Sequence, residues 1–248
     1  MKGVILAGGT GSRLMPMTEV TNKHLLPVYD KPMIFHPIQF LVNSGIRDIV
    51  IVTGGESAGH LLRLLKNGEE FGLNTLVYAY QKGSGGIADA LRLAKPFIGP
   101  DESMCVILGD NIFEYAMPDH VMSFMSQVSG ARVMLKEVED PHRFGVATLN
   151  ASGGLTKITE KPANPDTKLA VTGVYFYDSK VFSYIAHGKP SSRGELEITD
   201  VNNHYLENGE LTYCLVEGWW SDAGTPDSLL RAANLAQNGG TSKVPLPY

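Results

Sequence analysis

Apolar residues in the first half of the chain alternate between two periods. Residues 4–7, 49–52, 76–80 and 104–108 are short, almost continuous apolar runs, the pattern of strands buried on both faces. Between them Ile34, Ile38, Leu41 and Val42 recur at helical spacing, with Gly45 in the helix-ending position. Leu61, Leu62, Leu64 and Leu65 mark a second helix ending near Asn67-Gly68, and residues 87–94 a third. Such alternation predicts an α/β fold with a mostly parallel sheet flanked by helices on both faces. After residue 130 the spacing tightens. Segments 131–138, 146–149, 155–159 and 171–177 are strand-like and close together, so this part of the sheet is expected to be antiparallel or mixed. Helices return at about 196–207 and 225–237.

No Gly/Ser-rich or Pro-rich linker interrupts this pattern, and no repeat stands out, so one domain over residues 1–238 is expected. The segment 239–248 carries two glycines and two prolines and reads as a disordered or surface-draped tail.

Composition narrows the classes. A chain of 248 residues, 43% hydrophobic, can bury roughly 70–75% of its unfolded surface. A net charge of −5 argues against nucleic acid as the main ligand. Cys105 and Cys214 are far apart with no CxxC pairing, which fits a reducing cytoplasm. The seven histidines show no zinc spacing. A strand-like run begins by residue 3, so no leader is expected, and no apolar run approaches the ~20 residues that span a bilayer. A cytoplasmic protein that binds neither nucleic acid nor membrane is expected.

Candidate chemistry lies at four places. Gly8, Gly9 and Gly11 follow the first strand, where a flexible backbone can bring N–H groups to an anion, and Arg13 and Lys23 follow as candidate phosphate cations. Neither GxGxxG nor GK[ST] is present, and a strand-to-helix turn with a solvated arginine is the plain alternative. Asp110 sits at the carboxyl end of the 104–108 strand, where open α/β sheets bind ligands, and suits Mg²⁺; a Gly-Asp-Asn turn would look the same. Asp222 precedes Thr225-Pro226, a helix cap, and is a candidate second metal ligand. Lys161 precedes Pro162, which predicts an extended residue where a strand gives way to a loop.

Taken in order, LAGGTGSRL (6–14), NKHLLPVYDKPMI (22–34), ILGDNIF (107–113), RFGVA (143–147), EKP (160–162), AVTGVYFYDSKVF (170–182), RGELEITDVN (193–202) and WSDAGT (220–225) resemble the sugar-1-phosphate nucleotidyltransferases. The likeness is strongest to members that join dTTP and glucose 1-phosphate into dTDP-glucose and pyrophosphate. It implies a single Rossmann-like domain, with a nucleotide-binding part over about 1–130 and a sugar-phosphate part over about 131–238. It also implies that Leu6, Gly8, Gly9, Thr10, Gly11, Ser12, Arg13 and Lys23 hold the nucleotide, and that Gln81 and Gly86 read the base. Asp110 and Asp222 match Mg²⁺ ligands. Asn111, Gly145, Glu160, Val171, Tyr175 and Trp220 match sugar-side positions, while Lys161 and Arg193 match contacts to the sugar phosphate.

The family's members form dimers and tetramers, so a homo-oligomer is implied. Against longer members the chain is a short form, expected to lack their regulatory nucleotide site. Asp89 stands where many thymidylyl-transferring members carry Gln, and Lys82-Gly83-Ser84-Gly85 replaces a more proline-rich loop. The rivals are a relative using UTP or another sugar phosphate, and a non-catalytic nucleotide-sugar sensor. The sensor expects loss of a catalytic charge, yet Arg13, Lys23, Asp110, Lys161 and Asp222 are all present.

Overall fold

The continuous apolar runs form strands because both faces of each are covered. In β1 (Lys2–Ala7), Val4 and Leu6 enter one core cluster while Ile5 and Ala7 enter the other, and none is more than 6% exposed. The structure, a computed structural model, describes residues 1–55, 58–127 and 129–239. Of the tail expected at 239–248, residues 240–248 lie outside the described residues.

After β1 come the two-residue strands β2 (Pro27–Val28) and β3 (Lys31–Pro32), then α1 (Phe35–Asn43), β4 (Asp48–Gly54), α2 (Ala58–Leu65), β5 (Thr75–Gln81), α3 (Ile87–Arg92) and β6 (Met104–Leu108). They are followed by β7 (Asn111–Phe113), α4 (Pro118–Met125), β8 (Ala131–Glu137), β9 (Gly145–Leu149), β10 (Leu155–Glu160), β11 (Leu169–Tyr177) and α5 (Val181–His187). The chain continues through α6 (Ile198–Glu207), β12 (Leu211–Leu215), β13 (Trp220–Asp222) and α7 (Pro226–Asn238).

Among the described residues, nine strands form one mixed sheet ordered β10-β9-β11-β6-β1-β4-β5, with β8 joining β11 to β12. Pairing is parallel from β6 through β1 and β4 to β5, with Val4 opposite both Val50 and Val106. It becomes antiparallel where β11 meets β6, β8 and β9. The change of direction expected after residue 130 is therefore observed. Helices α3, α5 and α6 contribute to the core cluster on one face, and α1, α2 and α4 to that on the other. No helix among the described residues is long and apolar enough to cross a membrane.

Two boundaries differ from expectation. The helix expected from 196 starts at Ile198, because the Leu196 backbone is used elsewhere: its N–H donates to Gly85 O (2.8 Å) and its C=O accepts from Ala88 N (3.2 Å). The helix from 87 stops at Arg92 and gives way to a 3₁₀ turn at Lys95–Phe97. Helices α4 and α5 were not expected at all. Thr225 caps α7 as expected, in a reciprocal capping box with Ser228 and with Pro226 in the first turn.

Candidate active site

The site lies beyond the carboxyl ends of β1, β5 and β6. No α-helix starts at the glycine loop; Ser12–Leu14 makes a single 3₁₀ turn, so the plain strand-to-helix turn is not what forms. Gly9 (φ 90°) and Gly11 (φ 66°) occupy the left-handed region that side chains disfavour. Gly8 is needed for a different reason, since a Cβ there would collide with Gln81 Oε1.

Lys23 opens a second 3₁₀ turn, Lys23–Leu25, which is fixed from behind. Asn22 Oδ1 accepts from His24 N (2.9 Å) and contacts His24 Nδ1 (2.7 Å), while the His24 ring packs on Gly109 so closely that a Cβ there would lie 2.7 Å away. Burial, reinforced by Lys23, pushes the His24 pKa down to about 3, so its ring is neutral. This buried support aims the Lys23 ammonium at Asp110 Oδ2, 2.6 Å distant.

Asp110 follows β6, held by a Gly109 N–H bond to Leu6 O (2.9 Å). Burial raises its pKa, but the Lys23 charge more than offsets that, so the carboxyl titrates well below the usual range. Asp222 is distant in sequence and is brought alongside by the β7–β13 ribbon, in which Asp222 faces Asn111 and Ala223 N donates to Asp110 O (2.8 Å). A Cβ on Gly224 would lie 3.5 Å from Asp110 Oδ2, 3.3 Å from Asp222 Oδ2 and 2.9 Å from Arg13 Nη2, so two carboxylates and a guanidinium converge on one backbone point. The Asp222 pKa is raised, chiefly by burial and also by Asp110, while Arg143 acts against both.

Two clefts meet here. One, of about 270 Å³, is lined by Leu6, Gly8, Gly9, Lys23, Gln81, Ser84 and Gly86 among others. The second, of about 160 Å³, includes Asn111, Gly145, Glu160, Val171, Tyr175, Trp220 and Asp222. Arg13, Ile87, Leu108, Asp110 and Lys161 line both. In the second cleft Asn111 Oδ1 accepts from Trp220 Nε1 (2.7 Å) and Gly173 N (3.0 Å), and Glu160 Oε2 accepts from Thr199 Oγ1 (2.6 Å). Thr10, Gly11, Ser12 and Arg193 are not among the lining residues; Arg193 pairs with Glu197 Oε2 (2.8 Å) and lies 3.4 Å from Glu160.

Lys161 corrects an expectation. It is not extended but lies at φ 41°, despite preceding Pro162. Its N–H is tied to Phe144 O (3.0 Å) where the β9–β10 ladder ends, and the chain turns sharply there, beside the clefts. Such positions cost about 1–3 kcal/mol and cluster at functional sites.

Several site residues were not singled out from sequence. Arg143 donates to Asp222 Oδ2 (2.6 Å) and Asp140 Oδ2 (3.0 Å); its only sequence signal was membership of the RFGVA segment. Thr199 and Asn202 line the second cleft from α6, and Asn202 Oδ1 accepts from Tyr177 Oη (2.6 Å). Their only sequence signal is membership of the RGELEITDVN segment, because tertiary packing alone turns that face of α6 inward.

Among the described residues no three or more His, Cys, Asp or Glu side chains are placed together so as to hold a metal ion. Two carboxylates still fit Mg²⁺, which commonly takes one or two protein carboxylates and completes its shell with water and phosphate oxygens. Asp222 Oδ1 supports that fit: it is buried with no hydrogen-bond partner, and Arg231 Nη2 is 3.9 Å away.

A covered mixed sheet with two polar clefts meeting at a carboxylate pair and shared cations defines a phosphate-handling transferase of the α/β class. The chain belongs to the nucleotidyl transferase family, whose profile matches residues 2–239, and it is a nucleotidyltransferase enzyme. It is 44% identical over 240 residues to a glucose-1-phosphate thymidylyltransferase of Neisseria meningitidis serogroup A, covering 96% of this chain and 83% of the relative. It is 45% identical over 239 residues to one from Xanthomonas campestris pv. campestris, covering 95% and 80%. Among solved structures, a candidate glucose-1-phosphate thymidylyltransferase of Bacillus anthracis, crystallised with a sucrose, superposes with a TM-score of 0.91 at 54% identity over 96% of both chains. A UDP-glucose pyrophosphorylase complexed with UDP-glucose shares the fold, with a TM-score of 0.82 at 24% identity over 96% of this chain and 98% of that one.

Proposed function

We propose that this enzyme transfers a thymidylyl group from dTTP to glucose 1-phosphate, giving dTDP-glucose and pyrophosphate. The observation that carries it is the junction of the two clefts at Asp110, with Arg13 and Lys161 lining both. A nucleoside triphosphate in the glycine-loop cleft and a sugar phosphate in the other bring two anions together at that junction. The names of the similar proteins support thymidine and glucose as the partners.

In the reaction a phosphate oxygen of glucose 1-phosphate forms a bond to the α-phosphorus of dTTP as the bond to pyrophosphate breaks. No protein nucleophile takes part, and the work is positioning and charge neutralisation. Arg13 and Lys23 neutralise the triphosphate, and Lys161 holds the sugar phosphate against the repulsion between the two ligands. Glu160 and Asn111 accept hydrogen bonds from sugar hydroxyls or fix the groups that do. Asp110 and Asp222 would hold Mg²⁺, which when bound supplies further neutralisation of phosphate charge.

The test is pyrophosphate release over a panel of nucleoside triphosphates and sugar 1-phosphates with Mg²⁺. Fastest release with dTTP and glucose 1-phosphate is expected. Faster release with UTP or another sugar would reassign the substrate, and no release with any pair would overturn the proposal.

A further inference from the structure

The glycine-loop cleft has two chemically different ends. Arg13, Lys23 and Asp110 form a charged end suited to phosphates, while Gln81, hydrogen-bonded to Gly86, lies with Ser84 and the apolar Ala90 on the rest of the lining. A nucleotide whose phosphates occupy the first end directs its base toward the second. There Gln81, only 3% exposed, presents a side-chain amide.

Gln81 is not free to choose which atom it offers. Its Nε2 donates to Asp89 Oδ2 (2.9 Å) and reaches Gly86 O (3.5 Å). Asp89 is itself gripped by Arg92, whose Nη2 donates to Oδ1 at 2.6 Å. Burial pushes the Asp89 carboxyl up, but the bonds from Arg92 and Gln81 bring it below its ordinary value. An ionised carboxylate accepts hydrogen bonds and cannot donate them. It therefore attracts Nε2 and repels Oε1, turning the amide oxygen toward the glycine loop, where a Cβ on Gly8 would collide with it. A Gln at position 89 could donate or accept, and would leave Gln81 free to sit either way round.

We infer that Asp89 is a specificity-determining positioning residue: it holds the Gln81 amide with its oxygen facing the base, selecting a base that presents a ring N–H. Thymine and uracil present that N–H at N3, whereas the corresponding ring nitrogen of cytosine is an acceptor and would face Oε1 unpaired. This inference rests on the nucleotide occupying the cleft as proposed above.

The experiment compares the full-length wild type with Asp89→Asn and Asp89→Ser, using dTTP, dUTP and dCTP with glucose 1-phosphate. A neutral Asn can accept from Nε2 or donate to Oε1, so Gln81 is released to turn over. The wild type is expected to favour dTTP and dUTP over dCTP. In both variants the kcat/KM ratio of dTTP to dCTP should fall about tenfold or more, as expected when one buried polar contact no longer discriminates. The change should come through KM for dTTP, with KM for glucose 1-phosphate held within about twofold, a split that general loosening of α3 would not produce.

A ratio unchanged within about twofold in a folded Asp89→Asn protein overturns the inference. If neither variant folds, Asp89→Gln, whose amide can donate to or accept from Gln81, takes their place under the same criterion. If the wild type releases no pyrophosphate with any triphosphate, it is the transfer proposal that fails. Equilibrium titrations of dTTP and dCTP then decide the role of Asp89: a preference for dTTP lost in Asp89→Asn supports it, and a preference unchanged overturns it.

Discussion

Arg143 Nη2 lies 2.6 Å from Asp222 Oδ2, while Nη1 of the same guanidinium lies 3.0 Å from Asp140. A flexible cation thus occupies one oxygen of a carboxylate whose other oxygen is buried without a hydrogen-bond partner. Arg143 and a divalent cation would compete for the same charge. Arg143→Met is therefore expected to bind Mn²⁺ several-fold more tightly in the absence of substrates, about 3- to 5-fold for a partly exposed ion pair worth up to about 1 kcal/mol. Water-proton relaxation enhancement measures this, and unchanged affinity would show that the guanidinium does not compete.

Arg13 is exposed yet reaches the point where Asp110 and Asp222 converge. Arg13→Ala should leave the melting temperature within about 2 °C, because surface substitutions seldom exceed ~0.5 kcal/mol. It should lower kcat about 10²- to 10³-fold, the scale for losing one donor to developing charge. Near wild-type pyrophosphate release from the purified variant would sink the catalytic assignment.

Asp222→Asn keeps the shape of a candidate metal ligand and removes its charge. The Mg²⁺ concentration for half-maximal rate should rise about tenfold or more, with a lower rate at saturation. A Mg²⁺ titration identical to that of the wild type would remove Asp222 from the metal site.

Gly173 leaves room for Asn111, since a Cβ there would lie 2.5 Å from both Cγ and Oδ1 of that amide. Gly173→Ala must displace Asn111 from its bonds to Trp220 and the Gly173 backbone. An overpacking cost of about 1–3 kcal/mol in urea unfolding is expected, together with a raised KM for the sugar phosphate. A raised KM for the nucleotide alone would contradict this placement.

His36 is buried in α1, with Nε2 3.3 Å from Val28 O and Nδ1 without a hydrogen-bond partner. Burial lowers its pKa from 6.5 to about 4. Because the folded-state value lies below the unfolded one, its contribution to stability is complete above about pH 6.5 and lost as pH falls toward 4. The loss is about 3 kcal/mol. Urea unfolding at pH 7.5 and 5 should show a smaller acid loss in His36→Gln than in the wild type, and equal losses would exclude His36 as the source.

The sheet was legible where one segment carries its own evidence. Residues 4–7 are apolar at every position because β1 lies between two parallel neighbours with core on both faces, and that pattern survives in a single window. Helix α4 escaped because Met122 and Met125 are more than half exposed, which blurs the apolar stripe made by Val121 and Phe124. Helix α5, at seven residues, is too short for a period to declare itself. The turn at Lys161 ran against the local preference set by Pro162, because a backbone bond to Phe144 outweighed it.

Sequence by itself determined the alternating α/β core, the glycine loop after β1 and the acidic residue after β6, since these follow from short-range periodicity and backbone freedom. Tertiary structure alone decided what those parts face. The β7–β13 register brings Asp222 beside Asp110, α6 turns Thr199 toward Glu160, and α3 sets Asp89 against Gln81. A charge separation or an amide orientation depends on distances between segments remote in the chain, and no local pattern encodes those distances.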